Sequence, residues 1–246
     1  MKYNDHVVLI TGSSSGIGKE AAIKFAIEGA NVVINCRTDV GEGEKVAKQI
    51  KQMGRNALCI KADVSDPNQV KRLFQESEEY FGTIDILINN AGLATPKPFF
   101  DITRRDLIKE FEENFFSMVY CSQEAAKLMK KRKSGSIINV SSICGLTGCT
   151  SILTFTSARS AVTGFTKALA KILAPNITVN AVAPGFTKTR FWDKQSQKEE
   201  KNLLATTLSR RWIMPGEIAD VMLYLAGAKN VTGQILVVDG GYMTTI

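Results

Sequence analysis

The stretch His6-Val7-Val8-Leu9-Ile10-Thr11-Gly12-Ser13-Ser14-Ser15-Gly16-Ile17-Gly18-Lys19-Glu20-Ala21-Ala22 passes from a short apolar run, through three spaced glycines, into a helical pattern. An apolar run of this length bounded by Gly and Ser reads as a buried strand, and the residues from Gly18 keep a helical period to Glu28. Glycines at 12, 16 and 18 allow a tight turn, close approach of backbone to a pyrophosphate and close packing of helix on strand. The N–H groups at the start of the helix attract the anion. Ser14, Ser15 and Ile17 share the loop. An ordinary glycine turn looks the same at this one place, so the rest of the chain has to decide.

Outward from that loop, short apolar runs alternate with longer helical segments. His6–Ile10, Asn31–Asn35, Ala57–Lys61, Ile84–Asn89, Ser136–Val140, Thr178–Val182 and Gln234–Val238 read as seven strands. Between them Gly18–Glu28, Gly43–Met53, Pro67–Phe81, Arg104–Lys131 and Phe155–Leu173 read as helices. This order predicts βαβ units: one Rossmann-type, doubly wound α/β domain over residues 1–246, a parallel sheet with helices on both faces. The segment 186–214, rich in Lys, Gln, Ser and Arg, is the least patterned and reads as a mobile stretch over the substrate side of the site.

Composition agrees with one large core: 246 residues, 44% of them hydrophobic. The five cysteines (Cys36, Cys59, Cys121, Cys144 and Cys149) are odd in number and without a C-x-x-C pair, so neither a disulfide framework nor a zinc site is expected. A reducing, cytoplasmic setting fits, and neither a leader nor a membrane-spanning run is evident. The formal charge of +7 favours anionic partners, but no basic stretch carries the interleaved aromatics that nucleic acid would need.

Cofactor choice is legible at the end of the second strand. An acid about 20 positions past the glycines would bond a ribose 2′-hydroxyl and repel a 2′-phosphate. None occurs from Gly29 to Thr38; Cys36 stands there and Arg37 follows, a guanidinium suited to phosphate. NADP(H) is therefore favoured over NAD(H), unless Arg37 is only a solvated strand-end charge.

The T-G-x-x-x-G-x-G spacing, Asp63-Val64 after the third strand and Asn89-Asn90-Ala91-Gly92 after the fourth together resemble the short-chain dehydrogenase/reductase family. Asn114, Ser142 after Asn139-Val140-Ser141, Pro184-Gly185 with Thr187 and Thr189, and Asp239-Gly240-Gly241 extend the likeness over the whole chain. The resemblance implies that Asn114 and Ser142 are catalytic. It also implies a dinucleotide held by the glycine loop, Asp63, Val64, Asn90, Ala91, Gly92, Pro184, Gly185, Thr187 and Thr189.

The likeness breaks where the family's reaction needs a tyrosine thirteen residues after the serine and a lysine four residues later: Phe155 and Arg159 stand there. Thr163-Gly164-Phe165-Thr166-Lys167 downstream holds the register, and no tyrosine lies between Tyr120 and Tyr224. In the family the phenol protonates the alkoxide left by hydride transfer, and the lysine lowers the phenol's pKa and holds the nicotinamide ribose. Phe155 has no proton to give, while Arg159 keeps a charge and donors for ribose hydroxyls. Cys144, Cys149, Ser151, Thr154 and Thr156 could serve a water or thiol relay, although loop and helix-start roles are the favoured account of them. His6, the single histidine, precedes the first strand and reads as structural.

Lys127, Lys130, Lys131, Arg132 and Lys133 cluster before the fifth strand, where a helix C-terminus favours cations. The chain is similar throughout to bacterial 3-oxoacyl-(acyl carrier protein) reductases. That resemblance implies a contact of these basic residues with an acyl carrier protein, and a homotetramer paired through Leu107–Tyr120 and Val162–Leu173. Three functions remain open: a dinucleotide-binding member with impaired or absent ketone reduction; an active NADPH-dependent ketoreductase using Ser142, Asn114 and water; and a structural protein that has abandoned the nucleotide, which the retained loop argues against. The substrate, expected among Ala94–Phe100, Gly145–Thr154 and 186–214, is not legible.

Overall fold

The computed structural model describes residues 2–193 and 195–245. Seven strands form one sheet in the order β3-β2-β1-β4-β5-β6-β7, every neighbouring pair parallel. They are β1 (Val7–Ile10), β2 (Asn31–Cys36), β3 (Ala57–Lys61), β4 (Ile86–Asn89), β5 (Gly135–Val140), β6 (Ile177–Pro184) and β7 (Ile235–Val238). All seven expected strands are present, with ends shifted by a few residues. Ile84 and Asp85 fall outside β4, where the Asp85 carboxylate instead accepts from the Val7 N–H at 2.9 Å.

Alternation along the central strands supplies both faces of the sheet. Val8, Ile10 and Ile34 join the core beneath helices α1 (Gly16–Ile27), α2 (Val40–Gln52) and α9 (Pro215–Gly227). Leu9, Val33, Leu87 and Ile137 join the opposite core beneath α3 (Pro67–Phe81), α5 (Ser117–Arg132) and α7 (Leu153–Leu173). Phe25 of α1 is wholly buried, so truncating it to Ala costs about 3–5 kcal/mol.

Helix ends follow local chemistry. Asp66 caps α3 by accepting from the Asn68 N–H, Pro67 opens it, and Gly82 stops it in the left-handed region. Asp39 caps α2 by accepting from Glu42, which starts that helix at Val40 rather than at Gly43.

The stretch 104–131 is not one continuous helix. It runs as α4 (Arg104–Phe111), a π-turn at Glu112–Phe116, and α5. The Asn114 side-chain amide donates to the Glu110 carbonyl at 3.0 Å, the acceptor that an α-helix would offer to the Asn114 backbone N–H, so the ladder widens by one residue. The 186–214 segment contains α8 (Gln197–Ala205), which begins at a Ser196/Glu199 capping box, and Lys194 within the segment lies outside the described residues. Between β5 and α7 lies a short helix α6 (Cys144–Thr147), whose first residue is joined to Cys149 by a disulfide.

The sheet order reverses at β1, whose neighbours are β2 and β4. A crevice opens beyond the carboxyl ends of strands at such a switch point.

Candidate functional site

The glycine loop lines that crevice, and three other segments hold it in shape. Gly12 has φ +61° and donates its N–H to Asn35 Oδ1 of β2 at 3.2 Å. Asn35 Nδ2 in turn donates to the Ala62 carbonyl at 3.0 Å, tying loop, β2 and the end of β3 together. Thr11 Oγ1 accepts from the N–H groups of Asn90 and Ala91 at 2.9 and 3.0 Å, and Asn90 Nδ2 donates to the carbonyls of Thr11 and Gly12 at 2.9 and 3.0 Å. A Cβ on Gly18 would lie 2.5 Å from both Asn90 Nδ2 and the Gly12 carbonyl oxygen. The N-terminus of α1 has no side-chain cap from Ser15 and no acid in its first turn, so its donors are left for an outside anion. This cradle fits a pyrophosphate.

Two cavities flank the loop and share Gly12, Ser15, Asn90, Gly92 and Leu93. The smaller, about 250 Å³, adds Ser14, Arg37, Asp63, Val64, Ala91 and Glu113. There the Arg37 guanidinium donates to Glu113 Oε1 at 2.7 Å, and this bond raises the arginine's pKa further. Asp63 Oδ1 accepts from the N–H and hydroxyl of Ser65 at 3.0 and 2.7 Å.

The larger cavity, about 720 Å³, runs past Ile17 to Ser142, Phe155, Arg159, Pro184, Gly185, Thr187 and Thr189. Among the described residues lining it, Arg159 is the one charged side chain, and no Tyr, His, Lys, Asp or Glu stands there. Arg159 is 4% exposed; its Nη1 donates to the Val140 carbonyl, its Nε has no partner, and its Cζ lies 5.1 Å from the Phe155 ring centroid. Burial pulls its pKa down to about 10, against the opposing pull of Glu110, and leaves it charged at neutral pH. Ser142 Oγ accepts from the Cys144 N–H at 3.2 Å, which leaves its own proton free to donate.

Comparison with known proteins agrees with this geometry. The family model for "short chain dehydrogenase" matches residues 6–200. The chain belongs to the short-chain dehydrogenase family. It is similar to a 3-oxoacyl-(acyl carrier protein) reductase of Staphylococcus aureus, 34% identical over 236 residues, covering 95% of this chain and 96% of the relative. The corresponding reductase of Synechocystis is 35% identical over 239 residues, with 96% of both chains covered. Among solved structures, a 7 alpha-hydroxysteroid dehydrogenase complexed with NADH and 7-oxo glycochenodeoxycholic acid superposes with a TM-score of 0.93 at 33% identity, covering 97% of this chain and 94% of that one.

Several other groups in this family member take places that the sequence did not indicate. Asn114 is wholly buried, and its amide is committed: Nδ2 donates to the carbonyls of Leu93 and Glu110 and to Glu110 Oε2, while Oδ1 accepts from Leu93 N–H. It therefore holds the irregular segment following Gly92 against α4. Glu110, 3% exposed, also accepts from Thr95 N–H at 2.9 Å, and burial raises its pKa.

The expectation of no disulfide is overturned. Cys144 and Cys149 are joined because the single turn of α6 brings their Cα atoms to 5.1 Å, a proximity that scattered spacing does not reveal. The bridge lines the large cavity with Ser151, whereas Thr154 and Thr156 are buried beside it and do not line it. Phe186, Phe191 and Trp192 make the cavity's outer wall aromatic.

His6 stands before β1, its Nδ1 3.2 Å from the Asn4 carbonyl and its ring edge-on to Tyr3, remote from the crevice. In the basic cluster Lys127, Lys131 and Arg132 pair with Glu124, Glu78 and Asp85 at 2.7, 3.1 and 3.5 Å; Lys130 borders an α5–α7 groove and Lys133 caps α5 in the left-handed region. Among the described residues no helix is long and apolar enough to cross a membrane.

Asn35, Glu110 and Glu113 are the site-building residues that sequence reading missed. Asn35 alone carried a signal, a polar residue inside an apolar strand.

Proposed function

We propose that this family member binds a nicotinamide dinucleotide, NADP(H) in preference to NAD(H), and that it reduces ketones poorly or by altered chemistry because it lacks the usual proton donor. The observation that carries the reading is the lining of the large cavity, where Ser142 is retained but Phe155 and Arg159 occupy the positions at which the family resemblance calls for tyrosine and lysine. When bound, the dinucleotide supplies or accepts a hydride.

The chain's own residues divide the binding. Gly12 to Gly18 and the α1 N-terminus hold the pyrophosphate, with Ser14, Ser15, Gly16 and Ile17 between them. Asp63, Val64, Ala91 and Arg37 take the adenosine half. Asn90, Gly92, Pro184, Gly185, Thr187 and Thr189 take the nicotinamide half, and the Arg159 guanidinium binds ribose hydroxyls. Ser142 donates a hydrogen bond to a carbonyl oxygen, and Asn114 positions Leu93 rather than touching substrate.

Without a general acid the rate falls by about two to four orders of magnitude. The aromatic wall favours an apolar substrate, in keeping with the acyl and steroid chemistry in the relatives' names. A homotetramer through α5 and α7, and an acyl carrier protein at Lys127 and Lys130 to Lys133, belong to the same proposal.

A second reading, an active ketoreductase, is favoured by the free Ser142 proton, with water as the final donor. The test follows NADPH absorbance with a short 3-oxoacyl thioester for wild type and for Phe155→Tyr/Arg159→Lys. The proposal expects the double variant to gain about 10²–10⁴-fold. Wild-type turnover at an ordinary rate of about 1 per second or more, without such a gain, favours the second reading.

A further inference from the structure

Resting on that dinucleotide reading, we infer that Glu113 sets the cofactor preference: its carboxylate occupies Arg37 and so holds down discrimination in favour of a 2′-phosphate. The end of β2 has no acid, which from sequence leaves Arg37 free for phosphate. The fold supplies one from elsewhere in the chain. The π-turn at Glu112–Phe116 carries Glu113 to the same small cavity as Arg37 and Asp63, and Glu113 Oε1 accepts from Arg37 Nη1 at 2.7 Å.

The Glu113 side chain is 11% exposed against 46% for Arg37, so the carboxylate is the anchored partner and the guanidinium the mobile one. Its second oxygen, Oε2, is buried with no hydrogen-bond partner. A carboxylate in that condition depends on Arg37 for its compensation, since a buried charge without a partner is costly. The turn itself is pinned: Ser117 Oγ donates to the Glu113 carbonyl at 3.0 Å, and the neighbouring Asn114 is locked to Leu93 and Glu110. The backbone that carries Glu113 is therefore held in place, and its mostly buried side chain keeps the carboxylate beside the cavity.

A 2′-phosphate reaching Arg37 meets two obstacles that an unphosphorylated ribose does not. It must take the guanidinium from Glu113, and it brings a dianion toward a fixed carboxylate. A half-exposed ion pair is worth up to about a fivefold factor, and like-charge repulsion near a protein surface about as much again. Removing the carboxylate is therefore expected to raise the preference for the phosphorylated cofactor about tenfold or more.

The experiment measures dissociation constants of NADPH, NADH, 2′,5′-ADP and 5′-ADP for the purified full chain by fluorescence or calorimetry, in wild type, Glu113→Gln and Arg37→Gln/Glu113→Gln. The expected result is tightening of NADPH and 2′,5′-ADP by about tenfold in Glu113→Gln, with NADH and 5′-ADP within about threefold of wild type. In the double variant most of that gain disappears. Should Glu113→Gln lose its cooperative urea transition, Glu113→Asp serves instead, since its shorter side chain draws back from Arg37 and the shift keeps the same sign. Wild-type binding of both dinucleotides with an unchanged NADPH-to-NADH ratio in the variants overturns the role of Glu113 and leaves the dinucleotide reading standing. Failure of the wild type to bind any of the four ligands overturns both.

Discussion

Replacing Gly18 with alanine strikes the pyrophosphate cradle without touching a charged group. The added methyl would sit 2.5 Å from the Gly12 carbonyl oxygen, 2.5 Å from Asn90 Nδ2 and 2.9 Å from Ser13 Cα. Two of these are backbone atoms of the loop itself. The third belongs to an amide already donating at 2.9 and 3.0 Å to Thr11 and Gly12. None is the loose end of a flexible side chain, so relief requires the loop to move by roughly 1 Å and the Asn90 hydrogen bonds to lengthen. Overpacking of this kind costs about 1–3 kcal/mol, and a lost hydrogen bond about 0.5–1.5 kcal/mol. A typical domain stability of about 5–15 kcal/mol absorbs that, and the fold persists.

The dinucleotide site is less tolerant. A displaced cradle meets the pyrophosphate with misaligned N–H groups, and a penalty of about 1.4–2.8 kcal/mol weakens binding about ten- to a hundredfold. Dinucleotide titration by fluorescence measures the affinity, and urea denaturation measures the stability. Gly41→Ala is the control, because a Cβ there meets nothing within 4 Å and the position lies inside α2, where alanine gains about 0.5–1 kcal/mol. Wild-type affinity together with wild-type stability in Gly18→Ala would refute the close-packing argument.

Two further outcomes can be checked without a ligand. Glu217 takes a bidentate contact from Arg211, at 2.7 Å to each oxygen, and accepts from Met214 N–H; the Arg211 bond foremost holds its pKa down at about 2. Because the folded value lies below the ordinary 4.5, the contribution is in place above about pH 4.5 and is lost as pH falls toward 2. Glu217→Gln is expected to lower urea stability at pH 7 by roughly 0.5–1 kcal/mol, as suits an exposed pair, with the difference shrinking below pH 4.5; equal stabilities at pH 7 would contradict it. Alkylation of the denatured, unreduced chain is expected to label Cys36, Cys59 and Cys121 and to spare Cys144 and Cys149 until a dithiol is added, and mass spectrometry counts the adducts.

Much of the architecture is written locally. Apolar runs such as Val7–Ile10 and Ala57–Lys61 are strands because a run of that length between turn residues has no better way to be buried in a parallel sheet. Pro67 and Gly82 bound α3 through chemistry confined to a few residues. The glycine loop is legible for the same reason, since its conformation is demanded within eight residues. Resemblance carried the family, and residue identity alone marks Phe155 and Arg159 as departures from it. The Ser196/Glu199 capping box that opens α8 is just as local, and the reading of 186–214 as the least patterned stretch passed over it.

Contacts between distant segments were decided only by docking of the elements. Arg37 and Glu113 lie 76 residues apart and meet because β2 and the π-turn converge on one cavity. Asn114, 21 residues from Leu93, exchanges hydrogen bonds with that backbone and with Glu110. Cys144 and Cys149 pair because α6 turns once between them. Spacing along a chain specifies which face of a strand or helix a residue takes; which side chain it meets there depends on how layers pack, and that is a property of the whole fold.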